Sequence, residues 1–512
     1  MKKFLVVFTL LFFGFSVFAC EERTSIETTT SLTTVSETDI STSTETISST
    51  ETIDFSSIEV KAYSSNNLLE LSDISDSISS WDSENSAPAS ISVDDLISYQ
   101  TYYGAGAALT YSSAYVISES PDRNEIIHYL FSEEGLHLQL IRLTIGASDF
   151  VASEMGHYTY DDTPSNVEDL TLDYFSIEND RIIIDLLQEA LAINPDIVFI
   201  AAPWSAPAWM KNNKSLYGGT LRTDYFNAYA NYLVKYIITM QEEGIDIHYL
   251  SIQNEPYYAA VDYPGMTWTI DTTKIFIRDF LGPKLVENEL QTKLMIWDHN
   301  PEDNSGNLID FPVRVLLNDA TASFIDAIGV HCYTGDEQDM KDYLTYLSTN
   351  NPEVEVFMTE CTATTTYQNR ENNIEWSIRR MYTSAYNLGA VGTTYWNLAL
   401  DPEGLTHLGG CDTCTGLISV PLNQESGYTL EADGYVSAHF SKDILSGAKR
   451  ILTSSNNSSL LVSGFVDENK KITLVVFNDG PQKTTSIVWQ NNTFLIVLPS
   501  NSLTTITWTK PS

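Results

Sequence analysis

Asn254, Glu255 and Pro256 close a hydrophobic run at 245–250 that alternates loosely like a buried strand. The proline cannot continue a ladder, so a carboxylic acid stands where a strand stops. At the C-terminal mouth of a parallel barrel such a residue faces substrate, whereas in an ordinary loop it is a turn residue in water. A second glutamate has the same setting. Residues 354–359 (VEVFMT) read as a short β-branched strand, and Glu360 ends it. The two acids lie roughly three strand–helix units apart, at ~30 or more residues per unit. If Glu255 ends the fourth strand of a barrel, Glu360 ends the seventh, across the mouth. Two carboxyls ~5–5.5 Å apart suit double displacement at a glycosidic bond, one as acid/base and one as nucleophile.

The elements that must position this pair follow from the hydrophobic pattern. A small-residue strand begins near Tyr103 (YGAGAA), where glycine allows close backbone approach. Its Gly-x-Gly lacks the third glycine of a dinucleotide site. The second strand, 138–145, carries Arg142 inside an apolar run, which is costly unless an acid pairs with it; a mouth carboxylate is the natural partner. The third, 197–202, empties into PWSAPAWMK at 203–211, a rigid aromatic loop suited to stacking on a sugar, although Trp209 reads equally well as packing. Strands at 294–299, 327–333 and 392–397 also end in polar or aromatic groups, with helical stretches in several of the gaps. The pattern is α/β, a (β/α)8 TIM barrel.

Beyond the barrel the chain divides by composition. Residues 1–20 form a signal peptide, with Lys2 and Lys3 before an apolar run and Ala19-Cys20 at its end, which resembles a lipoprotein cleavage box with Cys20 as the lipidated residue. Residues 21–55 are a Ser/Thr-rich linker, too poor in apolar groups to fold. Strands are expected at 56–99, including 66–76, then the barrel at 100–432, then an all-β segment at 433–512. Both ends are expected to combine in one appended sandwich, because strand edges need partners.

The net charge of −41 excludes nucleic acid as a partner, and the 9 Trp, 28 Tyr and 21 Phe suit a neutral sugar. Cys411 and Cys414 are the only close cysteine pair and are expected to form a disulfide pinning a loop; zinc, with His407, is the weaker reading. Cys332 and Cys361 are expected as buried free thiols.

In order along the chain, RLTIGASDF (142–150), HYTYDD (157–162), WSAPAWMK (204–211), QNEP (253–256), HCY (331–333), TEC (359–361) and WNLALDP (396–402) resemble glycoside hydrolase family 30, the glucosylceramidases and related β-glucanases, from about Gln100 to the C-terminus. The resemblance implies Glu255 as acid/base and Glu360 as nucleophile. It implies Asn254 at the sugar 2-hydroxyl, and Asp149, Trp204 and Trp396 around the sugar before the cut. Tyr333 and Arg142 would keep the nucleophile ionised, and the acid would hold its proton through a neighbouring negative charge. After Pro402 the loop 403–416 (EGLTHLGGCDTCTG) departs from the glucosylceramidase pattern and looks more like the endo-β-1,6-glucanases.

The expectation is a retaining glycosidase acting on a β-glucan or other β-glucoside, monomeric, exported and membrane-anchored through Cys20, with no metal or organic cofactor. The alternatives are a glucosylceramidase-like exo-enzyme, a freely secreted form, and a non-catalytic glycan-binding lipoprotein.

Overall fold

The computed structural model describes residues 53–68, 70–303, 305–363, 370–422 and 426–511. Residues 1–20, expected as a signal peptide ending at Cys20, and nearly all of the expected linker lie outside the described residues. Eight parallel strands close into a barrel: β1 (Gly104–Leu109), β2 (Leu140–Ile145), β3 (Val198–Pro203), β4 (Tyr249–Ser251), β5 (Lys293–His299), β6 (Ile325–His331), β7 (Glu355–Glu360) and β8 (Ala390–Tyr395). Strands β1, β2, β3 and β8 are buried along their whole length, as strands covered on both faces must be. Helices cover the outside by amphipathic spacing. Arg181–Ile193 buries Ile183, Ile184, Leu186, Leu187 and Ala190, one stripe at helical period.

The barrel interior is layered, because alternate strand residues point inward. Leu140, Ile200, Tyr249, Met295, Ala327 and Phe357 form an apolar layer. Two residues further along β2 and β6 come Arg142 and Gly329, and two further again along β6 comes His331. The period of two therefore lifts the charged residues to the mouth. Gly329 makes room for them: a β-carbon there would lie 3.0 Å from Asp298 Oδ1 and 2.9 Å from Thr359 Oγ1. Gly106 answers the close approach of β1 to β2, since a β-carbon would stand 1.7 Å from the Leu140 carbonyl oxygen.

Both chain ends build the second unit, a nine-stranded sheet with its own core around Trp489, Phe494 and Trp508. Val60–Ser65 pairs antiparallel with Ser502–Thr509, and Ala89–Thr101 runs parallel to Lys483–Trp489. Among the described residues within 66–76 only Ser72–Asp73 forms a strand, so the expectation of continuous β structure there is corrected. His439, fully buried, ties barrel to sheet through Thr505 Oγ1 at 2.8 Å and Ser65 Oγ at 3.0 Å. Burial pushes its imidazole down to about 3, so it is neutral.

Candidate active site

Arg142, with no solvent exposure, joins three strand ends. Its Nη1 donates to Glu360 Oε2 at 2.7 Å, and its Nη2 to Asn254 Oδ1 at 2.8 Å and Asp298 Oδ2 at 3.0 Å. A planar fork of fixed donors suits this task, where a lysine point charge does not. The Tyr333 hydroxyl donates to the other Glu360 oxygen, Oε1, at 2.9 Å. Glu360 is thereby held from both sides.

Glu255 stands on the far side of one imidazole. Its Oε1 lies 3.3 Å from His331 Nδ1, and the same nitrogen is 3.8 Å from Glu360 Oε1. Both carboxylates therefore reach the same imidazole nitrogen and face one another across the mouth. His299 Nδ1 flanks Glu255 Oε1 at 3.2 Å, and His331 Nε2 reaches Asp298 Oδ1 at 3.2 Å.

The backbone contorts to bring these groups inward. Glu255, Trp297 and Asp298 all have left-handed backbones, with φ of 50°, 73° and 52°. For non-glycine residues this costs on the order of 1–3 kcal/mol each and gathers at functional sites. Hydrogen bonds hold the turn in place, from Glu255 N–H to Asp298 O at 3.0 Å and from Asn254 N–H to Pro203 O at 2.9 Å.

Trp204 and Trp396 stack with ring centroids 5.3 Å apart, and the Arg142 guanidinium lies 5.0 Å from the first ring. Asp149 sits beside this wall under the 403–416 loop. A β-carbon on Gly410 would fall 2.2 Å from Asp149 Oδ2, so only glycine passes there. The resulting cleft of about 720 Å³ is lined by Asp149, Trp204, Asn254, Glu255, Tyr333, Glu360 and Trp396, with Arg142 beneath it. Trp209 is a packing residue, its indole N–H donating to Asp161 Oδ2 at 3.0 Å. The sequence motifs gave no role to Asp298, His299 or His331, although each stands at or near the end of a barrel strand, nor to Tyr257 and Tyr258, half-exposed on the cleft wall beyond Glu255.

Residues 102–444 match the glycosyl hydrolase family 30 TIM-barrel domain and 447–506 the family's beta sandwich domain. The chain belongs to glycoside hydrolase family 30. This family 30 glycosidase is 31% identical to an endo-1,6-beta-D-glucanase of Neurospora crassa over 70% of its own length and 74% of the relative's. It is 30% identical to putative glucosylceramidase 2 of Caenorhabditis elegans over 76% of each chain. The solved structure of an endo-beta1,6-glucanase superposes with a TM-score of 0.80 at 28% identity, covering 88% of this chain and all of that one.

Two expectations change at the site. Cys332 and Cys361 are buried but not free: they form a disulfide, as do Cys411 and Cys414. The reason is register. Glu360 of β7 sits opposite His331 of β6, so the next residue on each strand is a neighbour, with Cα atoms 5.3 Å apart. This bond clamps the strand ends carrying His331, Tyr333 and Glu360. A Cys332→Ser/Cys361→Ser variant is expected to lose about 2–4 kcal/mol of stability by thermal unfolding. Its kcat falls on the order of 10- to 100-fold, the scale of small misplacements.

The second change concerns protons. Glu255 has imidazoles for neighbours rather than a negative charge. Burial alone raises its carboxyl, but His299 and His331 outweigh burial and hold it well below the usual carboxylate range. Burial lowers His331, yet Glu360, Asp298 and Glu255 push it up to about 9. The resting site therefore keeps its proton on His331, one contact from Glu255.

Asp149 departs in the other direction. Burial, then the Glu360 charge, push it up to about 8, so it is neutral at and below pH 7 and able to donate to a sugar hydroxyl. As pH rises through about 8 it ionises and that donor is lost. The expected result is a kcat/KM that declines through that pH, with the limb abolished in Asp149→Asn; an unchanged limb refutes the assignment.

Proposed function

We propose that this chain is a retaining endo-β-1,6-glucanase in which Glu360 is the nucleophile and Glu255 the acid/base. The observation that carries the reading is the convergence of both carboxylates on His331 Nδ1, with only Glu360 clamped by Arg142 and Tyr333. Arg142 and Tyr333 aim a Glu360 oxygen at the anomeric carbon while the sugar lies against Trp204 and Trp396. The proton on His331 passes to Glu255 as substrate expels water, and Glu255 delivers it to the leaving oxygen as the bond from that oxygen to the anomeric carbon breaks and the Glu360 ester forms. Glu255 then takes a proton from water, whose oxygen displaces Glu360. The two carboxyls supply acid, base and nucleophile, so this chemistry calls for no cofactor.

The β-1,6 linkage and endo action are supported by the names of the relatives and by the cleft's continuation past Glu255 along Tyr257 and Tyr258. The test is β-1,6-glucan, β-1,3-glucan, xylan and glucosylceramide offered in parallel, with products separated by length. Mixed oligomers from β-1,6-glucan are expected. Glucose alone, or preferred cleavage of glucosylceramide, replaces this reading with the exo-enzyme suggested by the glucosylceramidase relatives. From its sequence the chain is further proposed to act as a monomer at a membrane surface, tethered by lipid at Cys20; palmitate labelling that persists in Cys20→Ala refutes the anchor.

A further inference from the structure

We propose that Glu255, His299 and His331 form a capture site for a divalent transition metal, zinc(II) or copper(II) by ligand type, and that an ion seated there blocks turnover. Sequence reading assigned this chain no metal. The ligand atoms offered by the three residues all lie within 4.8 Å of one another. The two edges that meet at Glu255 Oε1 measure 3.2 Å to His299 Nδ1 and 3.3 Å to His331 Nδ1. A tetrahedral ion with bonds of ~2.0–2.1 Å has edges of ~3.3 Å, so Glu255 stands at the right reach of both nitrogens. Two imidazoles and one carboxylate, with a fourth position open, is a ligand set zinc commonly takes.

A second observation points to a ligand rather than to three groups that happen to meet. Asp298 Oδ1 lies 3.2 Å from His331 Nε2. A carboxylate on the outer nitrogen fixes the ring, with Nε2–H donating to Asp298 and Nδ1 turned toward Glu255 and His299. Asp298 is itself held by Arg142 and has no freedom to turn away. His331 is fully buried, while Glu255 and His299 line the cleft, so an ion enters from the cleft and keeps water on its open side. The ion occupies the Glu255 oxygen, so that group no longer protonates a leaving oxygen. That consequence rests on the acid/base role proposed for Glu255; the ion site itself does not.

The experiment titrates the full chain, purified without chelator, with zinc sulfate by calorimetry. One zinc per chain is expected, reversed by EDTA. His299→Asn weakens binding by at least the ~10–100-fold typical of lost metal-supporting groups, while His128→Asn, on an outer helix, leaves it unchanged. X-ray absorption at the zinc edge of the unmutated complex reads the ligands without any variant, and two imidazole nitrogens at ~2.0 Å are expected. No saturable binding up to about 1 mM zinc, binding that survives His299→Asn, or a spectrum without imidazole overturns the site. If zinc binds as expected but saturating zinc leaves glucan hydrolysis unslowed, the ion site stands and the acid/base role of Glu255 falls. If glucan is hydrolysed normally and zinc never binds, the reverse holds.

Discussion

Glu360→Gln is expected to lower kcat by about four orders of magnitude or more on any β-glucoside the chain cleaves, because the covalent route loses the carboxylate that attacks the anomeric carbon. The amide is isosteric and the Arg142 fork keeps Asn254 and Asp298, so the variant folds and a loss of rate reports chemistry. Glu360→Ala with added azide is the sharper form. A small anion enters from the vacated face and gives the α-glycosyl azide, whereas Glu255→Ala with azide gives the β-azide, since there the nucleophile still acts first. Glu255→Ala should also be selective. Aryl glucosides with good leaving groups lose little in the first step, while glucan loses about 10²- to 10⁴-fold, the range of general acid–base catalysis. Turnover of Glu360→Gln within tenfold of the unmutated rate would show that the carboxylate clamped by Arg142 and Tyr333 is not the nucleophile.

The place of these residues at the mouth was open to sequence reading because each acid ends an apolar run, and a charged residue inside such a run has to be paired. Arg142 announced its partner class in the same way. What the sequence withheld was which strand ends share a layer. Asp298, the second acid on Arg142, lies 156 positions further along the chain, and its left-handed backbone, which turns it inward, follows no glycine or turn signal. His299 and His331 are ordinary residues until β5 and β6 lie side by side. The Cys332–Cys361 bond needed only the register of two consecutive strands, which residue types do not give. In the sheet, Ala89–Thr101 falls almost wholly within the strands expected at 56–99, but it is not legible as a separate element because Asp94 and Asp95 interrupt its apolar alternation. Asp95 is answered from afar, by the Trp489 indole N–H at 2.7 Å and the Lys510 ammonium at 2.6 Å. Register shifts against Lys449–Ser455 absorb the irregular pairing.

The same logic of paired burial makes Arg142→Met the substitution with the largest expected cost to the fold. It leaves Asp298, Glu360 and Asn254 facing each other with their shared donor gone, and breaking a buried pair from one side costs roughly 3–5 kcal/mol. The pH dependence follows from Asp298. Burial pushes its carboxyl up, but Arg142 and His331 outweigh burial and hold it well below the usual range. A folded-state pKa below the unfolded value contributes stability that is present above the unfolded ~3.9 and is lost as pH falls through the folded value. Without Arg142 burial regains the upper hand, the carboxyl rises, and the contribution turns into a penalty at neutral pH. On acidification toward pH 4–5 the freed carboxylate takes a proton and part of the penalty disappears. Denaturant unfolding of both proteins at pH 7 and pH 4.5 is therefore expected to give a larger gap at pH 7. A gap below about 1 kcal/mol at pH 7, or one that widens on acidification, is incompatible with Arg142 as the counter-charge that Asp298 and Glu360 share.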